Sequence, residues 1–192
     1  MVILDEFKDA IQVLKMNHAK IVEIANKKEA TFFGVMILAV PPVINVILNW
    51  WIFPPGSSIF SSFVIWTVAV PYLSYVITIF LMSLLAEKVF HGGKHHLGFF
   101  RIMAYAGIVL WVTMLPFLLA RLGLMADPAR LFKIIYWLGG AWMLYVSFYV
   151  LMLHHRLAKD NAVVTVVLAV IIAMIVNSIL GNMLVGSIYR LY

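Results

Sequence analysis

Five of the six histidines fall in two short polar stretches: His91, His95 and His96 in the first, His154 and His155 in the second. Glu87 and Asp160 lie close by in sequence. Neutral imidazole binds zinc, copper or nickel well, so these histidines are the candidate metal ligands. Their spacing argues for another role. No H-E-x-x-H or comparable ligand pattern occurs, and Gly92-Gly93 denies His91 and His95 a shared helical face. There is no cysteine, which removes thiolate sites, disulfides and cysteine nucleophiles. A hydrolytic triad needs a base and an acid gathered around a serine, and no serine stands in a nucleophile-elbow context. Gly92-Gly93-Lys94 lacks the G-x-x-x-x-G-K-S/T spacing of a phosphate loop. The expectation is no catalytic residue and no cofactor, with metal binding or sensing through the histidines as an alternative function.

The first stretch, residues 87–101, reads E-K-V-F-H-G-G-K-H-H-L-G-F-F-R. It predicts a tight basic turn between two apolar helices. Gly92 and Gly93 set the turn, while Lys94, His95, His96 and Arg101 meet lipid headgroups or a partner. Gly93→Val is expected to break it, because a β-branched side chain tolerates positive φ badly.

These turns need helices to hold them, and composition says which solvent those helices meet. Hydrophobic residues make up 65% and charged residues 11%, against about 45–50% and about 25% in an ordinary soluble domain. Lipid is the only solvent for such a surface. The net charge of +6 is spread over loops rather than gathered in a stripe, so a nucleic-acid partner is not expected and anionic lipid headgroups are. The first long apolar run follows a charged segment, so a cleavable signal peptide is not expected.

Residues 1–29 are patterned as an amphipathic helix, with Ile3, Phe7, Ala10, Ile11, Leu14, Ile21 and Ala25 near one face. Such a helix lies on the membrane or packs under the spans. Residues 30–192 form the membrane domain, an all-α arrangement of five transmembrane helices at about 30–52, 59–86, 102–120, 134–153 and 163–188. Trp50 and Trp51 mark an interface before the turn signal of residues 53–58. Pro41-Pro42, Pro71 and Pro116 fall inside spans and predict kinks. With the N-terminus cytoplasmic, ten lysines and arginines lie inside and four outside. The positive-inside rule therefore puts the C-terminus outside.

No ionisable side chain falls at mid-membrane depth, which argues against a proton-coupled carrier. A small channel or carrier lined by neutral polar groups stays as an alternative. On the fifth span Thr165, Ala169, Ala173, Asn177 and Gly181 recur every four residues and form a helix-packing stripe, within the bundle or between protomers.

The residues from 84 to 107 carry a resemblance. Phe90-His91-Gly92-Gly93-Lys94, then Phe99-Phe100-Arg101-Ile102, then Ala104-Tyr105-Ala106-Gly107 are similar to the Yip family, the Ypt/Rab-interacting type of membrane domain. Residues 142–153 with His154-His155, and the closing Tyr189-Arg190-Leu191-Tyr192, resemble short bacterial members. The match runs from about Lys28 to the C-terminus. It implies an integral, self-associating five-span protein that organises or shapes the membrane or recruits partners and carries out no reaction. Eukaryotic members act in vesicle traffic and bind Rab GTPases through a long cytosolic N-terminal region. Here about 29 residues precede the first span, so a Rab-type partner does not carry over. A bacterial or archaeal cytoplasmic membrane is the implied location.

Overall fold

A computed structural model describes residues 2–49, 70–93, 95–125 and 128–189. The chain is all-helical, and no strand occurs among the described residues. The helices are α1 (Val2–Leu14), α2 (His18–Asn26), α3 (Ala30–Asn49), α4 (Val70–Lys88), α5 (His96–Ala106), α6 (Leu115–Arg121), α7 (Pro128–His154) and α8 (Lys159–Tyr189). A 3-10 segment, Gly107–Met114, joins α5 to α6. Three helical stretches among the described residues are long and apolar enough to cross a membrane: His96–Arg121, Arg130–His154 and Lys159–Val176. The turn signal of residues 53–58 and Trp50-Trp51 lie outside the described residues.

The amphipathic N-terminal helix is two helices. The chain reverses at Lys15–Asn17, where Met16 takes a left-handed φ of 57°. Its N–H closes on Val13 O, and Asn17 N–H closes on Gln12 O, the double closure of a Schellman cap. Asn17 then caps α2, its side chain accepting from Lys20 N–H at 3.4 Å. Lys20 sits between Asp9 at 3.1 Å and Glu23 at 2.8 Å, so it ties the two helices together. The Glu23 hydrogen bond, with Asp9 behind it, holds the Lys20 ammonium above its ordinary range.

This hairpin docks on α5 through polar groups. Glu6 is 6% exposed. It pairs with Lys27 and accepts a hydrogen bond from the Tyr105 hydroxyl. Arg101 donates to Ala25 O and to Thr31 Oγ1, both at 2.8 Å. Arg101 therefore lies within α5 and is bound by α2 and α3. The polar turn is shorter than its composition implies, because α5 already begins at His96.

Proline placement follows backbone arithmetic. Pro41 has no N–H to give Ile37 O, and the Trp111 indole donates to that carbonyl instead, at 2.9 Å. Pro116 frees Val112 O, which Leu115 N–H takes up, and the chain runs as a 3-10 helix up to that point. Gly107 lets Leu38 lie against this segment: a Cβ there would stand 2.3 Å from Leu38 Cδ2. Pro71 is the second described residue of α4, so its missing bond points to residue 67, outside the described residues.

α8 packs most extensively along α4. Thr165 and Ala169 have no exposure and Ala173 is 6% exposed, so this part of the small-residue stripe is used inside the chain. Thr165 Oγ1 donates to Asn161 O of its own helix at 2.7 Å. The Asn177 side chain and the surroundings of Gly181 lie outside what the structure describes.

The Trp111 contact is testable. Trp111→Phe keeps most of the ring and removes the donor, leaving Ile37 O unsatisfied in an apolar setting. The expected loss is about 1–3 kcal/mol, read by denaturant titration in detergent micelles. An unchanged midpoint would show that the indole is dispensable.

Candidate functional site

The two histidine stretches meet. Each helix before them ends on the same device. His91 takes a left-handed φ of 54° and Arg156 one of 56°. The following N–H then reaches back six residues: Gly92 N–H to Ala86 O at 2.8 Å, and Leu157 N–H to Leu151 O at 3.4 Å. The ends of α4 and α7 are thus locally alike, and they lock onto each other. Gly93 N–H donates to His155 O at 3.0 Å. In return His155 Nδ1 meets Gly93 O at 2.6 Å.

The left-handed residue of the first turn is therefore His91. Neither Gly92 nor Gly93 has a positive φ, so the expected reason for glycine at Gly93 does not hold. The requirement falls on Gly92, and it is steric. A Cβ on Gly92 would lie 2.9 Å from His155 O, 2.9 Å from Leu157 Cδ2 and 3.0 Å from Ala86 O. A Cβ on Gly93 would meet nothing nearer than a His95 ring carbon at 3.3 Å and His154 O at 3.6 Å. Gly98 has the same function on α5, where a Cβ would stand 2.8 Å from His154 Nε2.

Behind the turns runs a continuous hydrogen-bonded chain. Glu87 pairs with His96 Nε2. His96 Nδ1 meets Ser83 Oγ at 2.7 Å. Ser83 Oγ meets His155 Nε2 at 3.1 Å, and His155 Nδ1 ends the chain on Gly93 O. Partners fix the proton positions from that end. A carbonyl only accepts, so His155 Nδ1 carries the hydrogen. Burial without exposure pushes the His155 imidazole down to about 4, so the ring is neutral and Nε2 accepts. The Ser83 hydroxyl donates to it and receives the hydrogen of His96 Nδ1. Glu87 as a carboxylate only accepts, so the pair with His96 Nε2 needs a hydrogen on that nitrogen as well. Lys88, hydrogen-bonded to Glu87, holds that carboxyl below the usual range, and His96 acts in the same direction.

Ser83 was invisible as a site residue because it sits in an apolar run. The signal was its spacing: Ser83 and Glu87 are four apart and share a helix face. With His96 they have the composition of a hydrolytic triad. The geometry differs from one. Ser83 has no exposure, its hydroxyl lies between two imidazoles, and an apolar groove of about 370 Å³ beside α4 is lined by His96 and not by Ser83.

The metal candidates come near one another, with the His95 and His154 ring centroids 5.3 Å apart, and differ in what they bind. His155 uses both ring nitrogens on Gly93 O and Ser83, and His96 uses both on Ser83 and Glu87. His154 Nε2 faces His95 O at 3.2 Å. His91 and His95 are exposed. Among the described residues, no three His, Asp or Glu side chains are grouped to hold an ion. Lys94 and its expected headgroup contact lie outside the described residues. Compared with known proteins, the chain matches no family model, no curated protein and no solved structure.

Two outcomes follow from this geometry. Gly92→Ala should destabilise the fold by about 1–3 kcal/mol through overpacking, and Gly93→Ala by clearly less, in detergent unfolding of both variants. Equal effects would remove the close-approach argument. Acid should also loosen the interlock. The unfolded chain protonates this imidazole near pH 6.5 and the folded one only near 4. The associated stability is thus present above about pH 6.5 and lost as pH falls towards 4, roughly 3 kcal/mol in all. His155→Gln keeps a polar side chain and removes the titration, so its stability should vary less across that window. A parallel pH profile for both proteins would place the effect elsewhere.

Proposed function

We propose that the chain is a non-enzymatic integral membrane protein of the Yip type, with five spans and a cytoplasmic N-terminus, that organises or shapes the bilayer and associates with itself. The observation that carries this reading is the fate of the polar groups. Glu87, His96, Ser83 and His155 bind one another and the turn backbone, so the polar end of the bundle acts as a fastening rather than an open reactive centre. The resemblance of residues 84–107 supplies the family.

Topology is supported by two features. The turns after α4 and α7 share one end of the bundle, as they must if α5–α6 and α7 are successive crossings. The excess of lysine and arginine assigned to that side then favours the cytoplasm, in a bacterial or archaeal cytoplasmic membrane. Self-association is supported by α7. Tyr136, Trp137, Leu138 and Tyr145 are exposed there, and a Cβ at Gly140 would touch nothing. Glycine in mid-helix costs stability relative to alanine, and close approach of a second copy is a use for it.

The absence of cysteine makes the test direct. Single cysteines replacing Lys88 and Arg156 should be blocked only by reagents reaching the cytoplasmic face, and one replacing Arg130 only by reagents outside. Reconstituted protein should change vesicle shape while trapped solutes stay inside. Labelling of Lys88→Cys and Arg130→Cys from the same side would overturn the topology. Solute release without a change of shape would favour a channel.

A further inference from the structure

We infer that α1 is inserted in the bilayer, with Ile3, Leu4, Phe7 and Ile11 in the acyl region of the leaflet that holds the histidine turns. α1 has three faces. Ala10 and Val13 have no exposure and Glu6 is nearly buried, forming the face turned into the chain, where Glu6 meets Tyr105 of α5. Asp5, Lys8, Asp9 and Gln12 form the polar face. Between them Ile3 is 73% exposed and Leu4 68%, with Phe7 and Ile11 also exposed. Packing within the chain leaves that stripe uncovered, and its position says what covers it. Phe7 meets the Trp111 ring edge-on at 5.5 Å. Trp111 belongs to the apolar stretch His96–Arg121, which also exposes Val112, Leu115 and Leu118. The stripe is thus continuous with the surface of a membrane-spanning helix, whose surroundings are acyl chains.

α1 docks on α5, the end of the span that begins at the histidine turns. α1, with 13 residues, is about 20 Å long, too short for a core of about 30 Å. It therefore does not cross the bilayer and adds cross-section to one leaflet only. Charge plays little part. In residues 1–29, Lys8, Lys15, Lys20, Lys27 and Lys28 are balanced by Asp5, Glu6, Asp9, Glu23 and Glu29. The contact is apolar, so it is indifferent to anionic lipid and to salt. The identity of the leaflet rests on the topology proposed above; the insertion itself does not.

The test uses nitroxide labels on single cysteines in the full-length protein, reconstituted in vesicles of zwitterionic lipid and, separately, with one-third anionic lipid. Labels replacing Leu4 and Ile11 should relax with dissolved oxygen and be shielded from a water-soluble nickel chelate. Labels replacing Lys8 and Gln12 should show the reverse. The pattern should be the same in both lipids and at high salt. Nickel access at all four sites would overturn the insertion, whatever side the labelling above assigns to Lys88. Protection that appears only with anionic lipid and is lost in salt would also overturn it, because the contact would then be electrostatic. Leu4→Glu alters an exposed position, so the protein should fold and show at least a threefold rise in nickel access at Ile11→Cys. No change would show that the stripe is not held by lipid.

Discussion

In a medium without water, every backbone carbonyl must find its donor inside the protein. The chain contains prolines at points where that rule is hardest to meet, and the neighbouring structure answers two of them. The carbonyl released by Pro41 is taken by the Trp111 indole. The one released by Pro116 is taken by Leu115 N–H, which winds the preceding residues into a 3-10 helix. The ends of α4 and α7 obey the same rule. A left-handed residue turns each chain back so that an N–H reaches a carbonyl six residues earlier. The positions of α3, the 3-10 segment and both turns follow from this accounting.

Side chains are held to the same rule, which shapes the site. Ser83, Glu87 and His155 are buried or nearly so, and a buried polar group without a partner is costly. Linking them in one chain satisfies all three and fastens α4, α5 and α7 at a single point. Proton positions then follow from the terminal carbonyl of Gly93. The N-terminal hairpin is joined to the bundle in the same way, through Glu6, Lys27 and Tyr105, with Arg101 closing the end of α2. Polar contacts thus fix where elements meet, and apolar packing fills the space between.

Much of the helical character was legible in the residues. Composition selected lipid as solvent, and lipid admits helices for an apolar chain of this pattern. Prolines marked where the helical ladder would be disturbed. Asn17 was a capping signal in plain view, yet the periodicity of residues 1–29 reads as one helix because the apolar positions on both sides of the break share a phase. The positive φ expected at the glycine pair fell on His91, since the turn is closed by helix-end geometry and Gly92 is required for contact with the second turn. That second requirement comes from a partner more than sixty residues away, so nothing local announces it.

The sequence by itself determined the solvent, the helical class and the places where polarity gathers, because these depend on side-chain transfer to lipid and on neighbours within a turn or two. Tertiary structure alone decided which polar groups are partners. Glu6 and Tyr105 are 99 residues apart, and Ser83 and His155 are 72 apart. Their meeting depends on how closely helices approach, which small residues such as Gly98, Gly107 and Ala169 allow. A hydrogen bond exists or fails within a few tenths of an ångström, and helix packing sets distances on that scale where composition and periodicity do not.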